Sequence, residues 1–136
     1  MLNEKEGSGL WNGDCVELFI GGRNIDQKGS LIFSDRQILL GASPQARVHV
    51  VDHPDESKQC EALAVKNITG DGYVIEALIP WKILGFEPAA GHEMLFDVAI
   101  DNSDDGRKRS QQLVWNGTAK DFSDRGAWGR ARLIGN

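Results

Sequence analysis

Apolar and polar side chains alternate along short segments of this chain, most clearly in LWNGDCVELFI, from Leu10 to Ile20. Successive strand side chains point to opposite faces of a sheet. One face therefore carries Val16, Leu18 and Ile20, and the other carries Cys15, Glu17 and Phe19. If the extended path continues back through the Asn-Gly-Asp turn, Trp11 shares the face of Glu17. An exposed aromatic ring beside a carboxylate can receive a sugar ring. Alternatively, Trp11 packs in the core and Glu17 is a solvated strand residue.

The same alternation, interrupted by Gly, Asp, Asn and Pro turns, predicts eight or nine short strands. After the strand that ends at Ile20, the predicted strands are 30–34, 38–40, 46–51, 59–66, 73–79, 94–100, 110–115 and 130–134. Pro80 ends the strand 73–79, and Pro80 with Gly85 favours one short helical turn there. No segment keeps a 3.6-residue period. The pattern therefore predicts an all-β, antiparallel β-sandwich that forms a single domain over residues 1–136.

Length and charge narrow the class of protein. The 136 residues suffice for one domain with a core, and 40% hydrophobic and 26% charged residues are ordinary for a globular protein. The net charge of −5 argues against a nucleic-acid partner. The one visible basic run, 107–109, follows acidic residues at 101–105, which largely cancel its field. No apolar run could span a bilayer, and the charged residues 1–6 do not read as a signal peptide.

The side chains that could support catalysis or a cofactor form no recognisable motif, so the chain is not predicted to be an enzyme. Glu17 and Glu76 could form a glycosidase pair only if their separation suited one. A haem site would need an axial pair such as a Met and a His, and the candidates, Met94 and His92, are neighbours in the sequence. Two cysteines, at positions 15 and 60, could form one disulfide or remain two buried thiols.

An acidic turn at 101–106, DNSDDG, carries oxygen side chains at alternate positions and a glycine for a bend. Calcium takes six to eight oxygen ligands, so Asp101, Asp104 and Asp105 are candidate calcium ligands. Gln112 stands where such a loop would end in a bidentate Glu, and the flanks read as strands, which excludes an EF-hand. The alternative is a solvated β-turn rich in Asp, Asn and Gly.

The aromatic residues differ in their expected exposure. Trp81 is expected to plug a sandwich edge and Trp115 to lie in the core, whereas Trp11 and Phe122 lie in or beside polar turns, where exposure is expected. In the strand 110–115, residue parity places Arg109 with Gln111 and Trp115. Two exposed rings could hold a pyranose between them, with polar groups at the rim.

Four strings, in this order, resemble family 9 carbohydrate-binding modules, which are DOMON-like β-sandwiches. The strings are LWNGDCVELFIGGRN, GYVIEALIPWKILGF, MLFDVAIDNSDDGRKR and VWNG…FSDRGAWGRARLI. The resemblance covers nearly the whole chain, although such modules usually have further N-terminal strands before the first string. It implies a non-catalytic module that binds the end of a plant-type polysaccharide or oligosaccharide, is attached to a glycoside hydrolase or another catalytic domain, and works outside the cell or in the periplasm.

The same resemblance implies roles for individual residues. Trp11 matches the first aromatic plate of the family's sugar binders, and Glu17 matches their strand glutamate. Arg109 matches an arginine that bonds sugar hydroxyls, Phe122 falls near the second plate, and Asn116 matches a loop amide. Structural calcium ions are also implied. An arginine expected near Phe33 has no clear match, since Ser34 or Arg36 could occupy that zone.

Two further functions compete with sugar binding. Without the family's N-terminal strands, a sheet edge or core face would be uncovered, and such edges invite pairing with another chain. The chain could therefore be a structural or interaction domain with no sugar site, completed by a homodimer or by a further segment. A cofactor-binding DOMON relative that holds haem is the other alternative.

Overall fold

A computed structural model describes residues 1–135 as eight strands and three short 3₁₀ helices. The strands are β1 (Cys15–Gly21), β2 (Arg36–Gly41), β3 (Val48–Val50), β4 (Glu61–Lys66), β5 (Tyr73–Leu78), β6 (Glu93–Ser103), β7 (Arg109–Val114) and β8 (Gly129–Arg132). The 3₁₀ helices are Gly7–Asn12, Pro54–Gln59 and Trp81–Ile83. All strand pairs are antiparallel, so the predicted all-β fold is confirmed.

The strands form two sheets of unequal size. The larger sheet has six strands in the order β3-β2-β1-β6-β7, with β8 also paired to β6. The smaller sheet consists of β4 and β5 alone. β1, whose alternation is the clearest in the sequence, lies at the centre of the larger sheet between β2 and β6. The backbone of β1 is therefore paired along both edges.

The main core lies between the two sheets. Its largest buried members from the six-stranded sheet are Ile20, Ile38, Leu40, Val50 and Met94. Ala62 of β4 and Ile75 of β5 pack against them from the smaller sheet. Each buried aliphatic side chain of this size contributes about 1.5–3 kcal/mol of transfer free energy. The outer face of the six-stranded sheet carries two smaller clusters, one around Phe19 and Trp128 and one around Leu10, Cys15 and Leu39.

The predicted strand 30–34 is wrong. Residues 32–35 form a hydrogen-bonded turn instead, because the Asp35 amide donates to the Ile32 carbonyl at 2.9 Å and the Asp35 carboxylate accepts the Ile32 amide at 3.0 Å. β2 begins only after this turn, at Arg36. The predicted helical turn after Pro80 is present as Trp81–Ile83.

The smaller sheet leaves part of the larger one uncovered. Ile100 of β6 pairs with Leu113 of β7 on the inner face, and both are exposed. Trp115, predicted to lie in the core, is 60% exposed beside them, so that prediction is wrong. The physical reason is that two strands cannot cover the inner face of a six-stranded sheet.

Both cysteines are free thiols. Cys15 packs with Leu10 on the outer face of the six-stranded sheet, and Cys60 packs against the main core on its inner face. The sheet itself therefore separates them. Within residues 1–135, no helix combines the length and the hydropathy that crossing a bilayer requires.

Candidate functional site

A cleft of about 420 Å³ lies on the outer face of the six-stranded sheet. This volume falls in the range of about 300–1,000 Å³ that is typical of small-molecule sites. Residues of β1, β2 and β7 form its floor, the first 3₁₀ helix forms one wall, and the loop between β7 and β8 forms the other. The cleft is lined by Ser8, Trp11, Glu17, Phe19, Gln37, Leu39, Val51, Arg109, Gln112, Thr118, Ala119, Asp121 and Phe122.

Glu17 lies at the bottom of the cleft and is only 3% exposed. Gln37 of β2 donates a hydrogen bond from Nε2 to Glu17 Oε2 at 2.6 Å, and Gln112 of β7 donates from Nε2 to Oε1 at 3.1 Å. Burying a carboxylate costs free energy unless hydrogen bonds compensate. The two amides supply that compensation and fix the carboxylate in position.

Arg109 and Asp101 extend this polar network. Arg109 Nη1 donates to Asp101 Oδ1 at 2.9 Å and lies 3.7 Å from Glu17 Oε1. Burial, the hydrogen bond with Glu17 and repulsion from its charge raise the pKa of Asp101 to about 8, against the opposing effect of Arg109. Asp101 therefore holds a proton at neutral pH, and the network carries one negative charge fewer than its two carboxyl groups suggest.

Trp11 forms the aromatic wall of the cleft. It lies in a 3₁₀ helix that is anchored by the buried Leu10, whose carbonyl accepts hydrogen bonds from Gly13 N and from Asn3 Nδ2. The guanidinium carbon of Arg109 lies 4.8 Å from the Trp11 ring centroid, a cation–π distance that orients the ring. The predicted extended path to Trp11 is wrong, but the helix still brings Trp11 to the side of Glu17.

Phe122 stands on the opposite wall and is 59% exposed. Its loop is held from below by the fully buried Asp97, which accepts hydrogen bonds from the amides of Asn116 and Gly117 at 3.1 and 2.6 Å. Asp121 accepts the Thr118 amide at 2.9 Å, and burial together with repulsion from Asp97 raises the pKa of Asp121 to about 6. These hydrogen bonds hold the loop in place, and the loop presents the Phe122 ring to the cleft.

The structure brings together four of the five predicted sugar-site residues: Trp11, Glu17, Arg109 and Phe122 all line the cleft. Asn116, the fifth, does not line the cleft. Its side-chain amide donates to the Ala127 carbonyl at 2.9 Å and so closes the loop that carries Phe122.

Gln37 and Gln112 are cleft residues that the sequence did not identify as sugar contacts. The predicted parity of β7 was also wrong, because a register shift between β6 and β7 pairs Ser103 with Arg109 but Asn102 with Gln111. This bulge places Arg109 on the face of Gln112 and turns Gln111 away. Parity counts assume an unbroken ladder, and a bulge reverses them.

The three predicted calcium ligands do not converge. The Asp101 carboxylate is buried against Arg109 and Glu17, while Asp105 Oδ1 accepts the amides of Arg107 and Lys108 at 2.8 and 2.9 Å and Asp104 is exposed. Within residues 1–135, no group of three or more His, Cys, Asp or Glu side chains is placed to hold a metal ion. This set therefore does not fit calcium.

Glu76 is too far from the cleft to pair with Glu17 as a glycosidase dyad. It pairs with Leu63 across the smaller sheet and points away from the core, since its neighbour Ile75 points inward. The whole sandwich therefore lies between the two carboxylates. The two candidate haem ligands have packing roles, since the His92 ring stacks on the Phe86 ring with centroids 4.6 Å apart and Met94 is part of the core.

A β-sandwich with a polar cleft between two aromatic side chains has the features of a domain that binds small molecules. Residues 2–136 match the family described as carbohydrate family 9 binding domain-like, and the chain belongs to that family. The family assignment suggested by the four sequence strings is confirmed.

Comparison with individual proteins agrees with this assignment. The chain is 28% identical over 131 residues to endo-1,4-beta-xylanase A of Thermotoga maritima; the match covers 96% of this chain but only 12% of that protein. It resembles a family 9 carbohydrate binding module from Caldicellulosiruptor kristjanssonii, solved with cellotriose and with glucose, at a TM-score of 0.76 and 20% identity in both cases. These matches cover 99% of this chain and 65% or 66% of the solved chains.

Proposed function

We propose that this domain is a non-catalytic carbohydrate-binding module that binds the end of a plant-type polysaccharide or oligosaccharide in the cleft between Trp11 and Phe122. The observation that carries this proposal is the joint placement of two aromatic rings over a buried, fixed carboxylate. A pyranose has apolar C–H faces and equatorial hydroxyls, so rings suit its faces and polar groups suit its rim. The cleft offers both.

The polar groups of the cleft match the needs of sugar hydroxyls. Glu17 accepts hydrogen bonds and Arg109 donates them, and both side chains line the cleft. A sugar hydroxyl can both donate and accept a hydrogen bond, so it can pair with either group.

The similar proteins support the substrate class. The relative from Thermotoga is by name a xylanase, and the solved structures from Caldicellulosiruptor contain cellotriose and glucose. Attachment to a glycoside hydrolase is part of the proposal, since the matched region of the xylanase is a small share of that protein. The module would hold the attached enzyme at its polysaccharide.

Isothermal titration calorimetry with glucose, cellobiose and xylobiose tests the proposal. We expect at least one of them to bind with a Kd in the micromolar to millimolar range, about −8 to −4 kcal/mol. Trp11→Ala should reduce the affinity by at least about tenfold. Trp115→Ala removes another exposed tryptophan, on the opposite face of the sheet, and should leave binding unchanged. No heat with any sugar would reject the proposal.

A second candidate function, an interaction domain that forms a homodimer, is favoured by the uncovered inner face around Ile100, Leu113 and Trp115. Among the described residues, β5 pairs only with β4, so its other edge offers unpaired backbone groups. Sedimentation velocity checks this: a dimer that dissociates in Leu113→Asp supports it, and a monomer at all concentrations contradicts it.

A further inference from the structure

A second cavity, of about 260 Å³, opens beside the cleft. The two cavities share Gln37, Val51 and Phe122 in their linings, so they adjoin one another with Phe122 at the boundary, and together they are called the groove below. The groove begins at Trp11 and ends at Phe33. It is therefore longer than a site for a single sugar ring requires.

Phe33 is 86% exposed at the far end of this groove. The turn at 32–35 that carries it is fixed by its own hydrogen bonds, and Arg36 Nη1 donates to the Phe33 carbonyl at 2.8 Å. Asp35 of the same turn forms a fully buried ion pair with Arg125. The structure thus presents an apolar ring to solvent on a rigid support.

The neighbours of Phe33 supply polar groups. The edge of Phe33 packs against the His53 ring, with centroids 5.4 Å apart and an interplanar angle of 74°. Asp52 also lines this cavity and has a positive φ of 60°, which turns the chain sharply at this position. The second cavity thus resembles the cleft in one respect: it has an aromatic ring on which a sugar could stack and polar side chains beside that ring.

Other exposed apolar residues lack this setting. Ile68 lies in the hairpin turn between β4 and β5, and Ile134 lies beyond β8; both are at least as exposed as Phe33, but neither lines the groove. Single exposed apolar residues are common and need no function. Phe33 differs because it lines a cavity that adjoins the cleft.

We propose that Phe33, His53 and Asp52 form an additional subsite that binds the next sugar units of an oligosaccharide whose end lies between Trp11 and Phe122. This inference rests on the proposed function and extends it. The apolar face of a pyranose stacks on Phe33, and its hydroxyls bond the His53 ring and the Asp52 carboxylate. The module therefore prefers a chain of several sugars over a single one.

Calorimetry with glucose and cellotriose tests this subsite through the ratio of the two affinities. We expect the wild-type protein to bind cellotriose more tightly than glucose, and Phe33→Ala to reduce that ratio about 2- to 10-fold, the effect of one aromatic contact. Phe33→Trp should keep the preference. Leu63→Ala, an exposed apolar residue of the smaller sheet, is the matched control and should leave the ratio at its wild-type value.

The outcomes separate this subsite from the sugar site itself. If glucose and cellotriose bind equally well, or if Phe33→Ala keeps the wild-type ratio, the subsite is overturned while the cleft stands. If neither sugar binds, the proposed function fails and the subsite fails with it. Because Phe33 is 86% exposed, its substitution should change stability little. A melting temperature near that of the wild type shows that each variant is folded.

Discussion

Two arginines pair with buried carboxylates in this protein, and they differ in how many of their donors are used. Arg125 has no exposed side-chain surface, and all five of its N–H groups donate: two to Asp35 and three to the carbonyls of Arg23, Asn24 and Gln27. Arg109 is 29% exposed, and within the described residues it donates one hydrogen bond, to Asp101. Arg109 lines the cleft, and its other donors have no hydrogen-bond acceptor among the described residues.

This difference indicates what each arginine does. A fully bonded, buried guanidinium has nothing left to offer a ligand, so Arg125 joins the turns at 23–27 and 32–35 to the loop that carries Phe122. A partly exposed guanidinium over an aromatic ring and beside a carboxylate can bond a ligand bidentately. We therefore expect Arg125 to contribute mainly to stability and Arg109 mainly to ligand binding. The following predictions test this distinction.

Arg125→Ala should have the largest effect, and the effect should be on stability. The substitution leaves the Asp35 carboxylate buried without its partner, which costs about 3–5 kcal/mol in the free energy of unfolding. Urea denaturation measures this loss. The matched control is Arg130→Ala, which breaks an exposed ion pair with Asp26 and should cost less than about 1 kcal/mol. Equal losses in the two variants would contradict the structural role of Arg125.

Arg109→Ala should act mainly on binding. We expect the affinity for cellobiose to fall about 10- to 100-fold, because a charged hydrogen bond contributes about 1.5–3 kcal/mol. Its cost in stability should be smaller than that of Arg125→Ala. Lys108→Ala, at the adjacent exposed position, is the control for the change of charge. Unchanged affinity in Arg109→Ala, measured by calorimetry, would remove Arg109 from the site.

The carboxyl pair beneath Arg109 predicts a pH dependence of stability. The pKa of Asp101 is raised from 3.8 to about 8, so the folded protein holds a proton that the unfolded chain has released. Stability therefore falls as pH rises from about 4 to 8, by at most about 1.4 kcal/mol per pH unit from this group, and levels off above about 8. The raised pKa of Asp121 also makes stability fall as pH rises, but only up to about pH 6.

Asp101→Asn isolates this contribution. Between pH 6 and 8, the free energy of unfolding of the wild type should fall more steeply than that of the variant. Taking the difference between the two proteins removes the other titrating groups, including His49, whose pKa is lowered by burial. Parallel pH profiles, measured by urea denaturation, would show that Asp101 is ionised across this window.

Gln112→Ala should have the smallest effect of the four. The substitution removes one of the two amide donors that fix the Glu17 carboxylate, so we expect the affinity for cellobiose to fall about 2- to 10-fold. Gln111→Ala is the matched control, since the bulge turns Gln111 to solvent and away from the cleft. If Gln111→Ala weakens binding more than Gln112→Ala, the β7 register described here is wrong.

The sequence predicted the elements of this fold well and its long-range partners poorly. Alternation located β1 and β5 because their side-chain rows are unbroken, and the family strings located Trp11, Glu17 and Arg109. Arg125 was not recognised, because its partners lie about 90 to 100 residues away and no local pattern marks them. Gln37 was missed for the same reason, since its role depends on the register of β2 against β1.

The most direct test of the sugar site is a crystal structure of this protein with bound cellobiose. The account predicts one sugar ring between Trp11 and Phe122, with its hydroxyls within hydrogen-bond distance of Glu17 and Arg109. A cleft that stays empty at saturating cellobiose, or a disaccharide bound elsewhere on the protein, would contradict it.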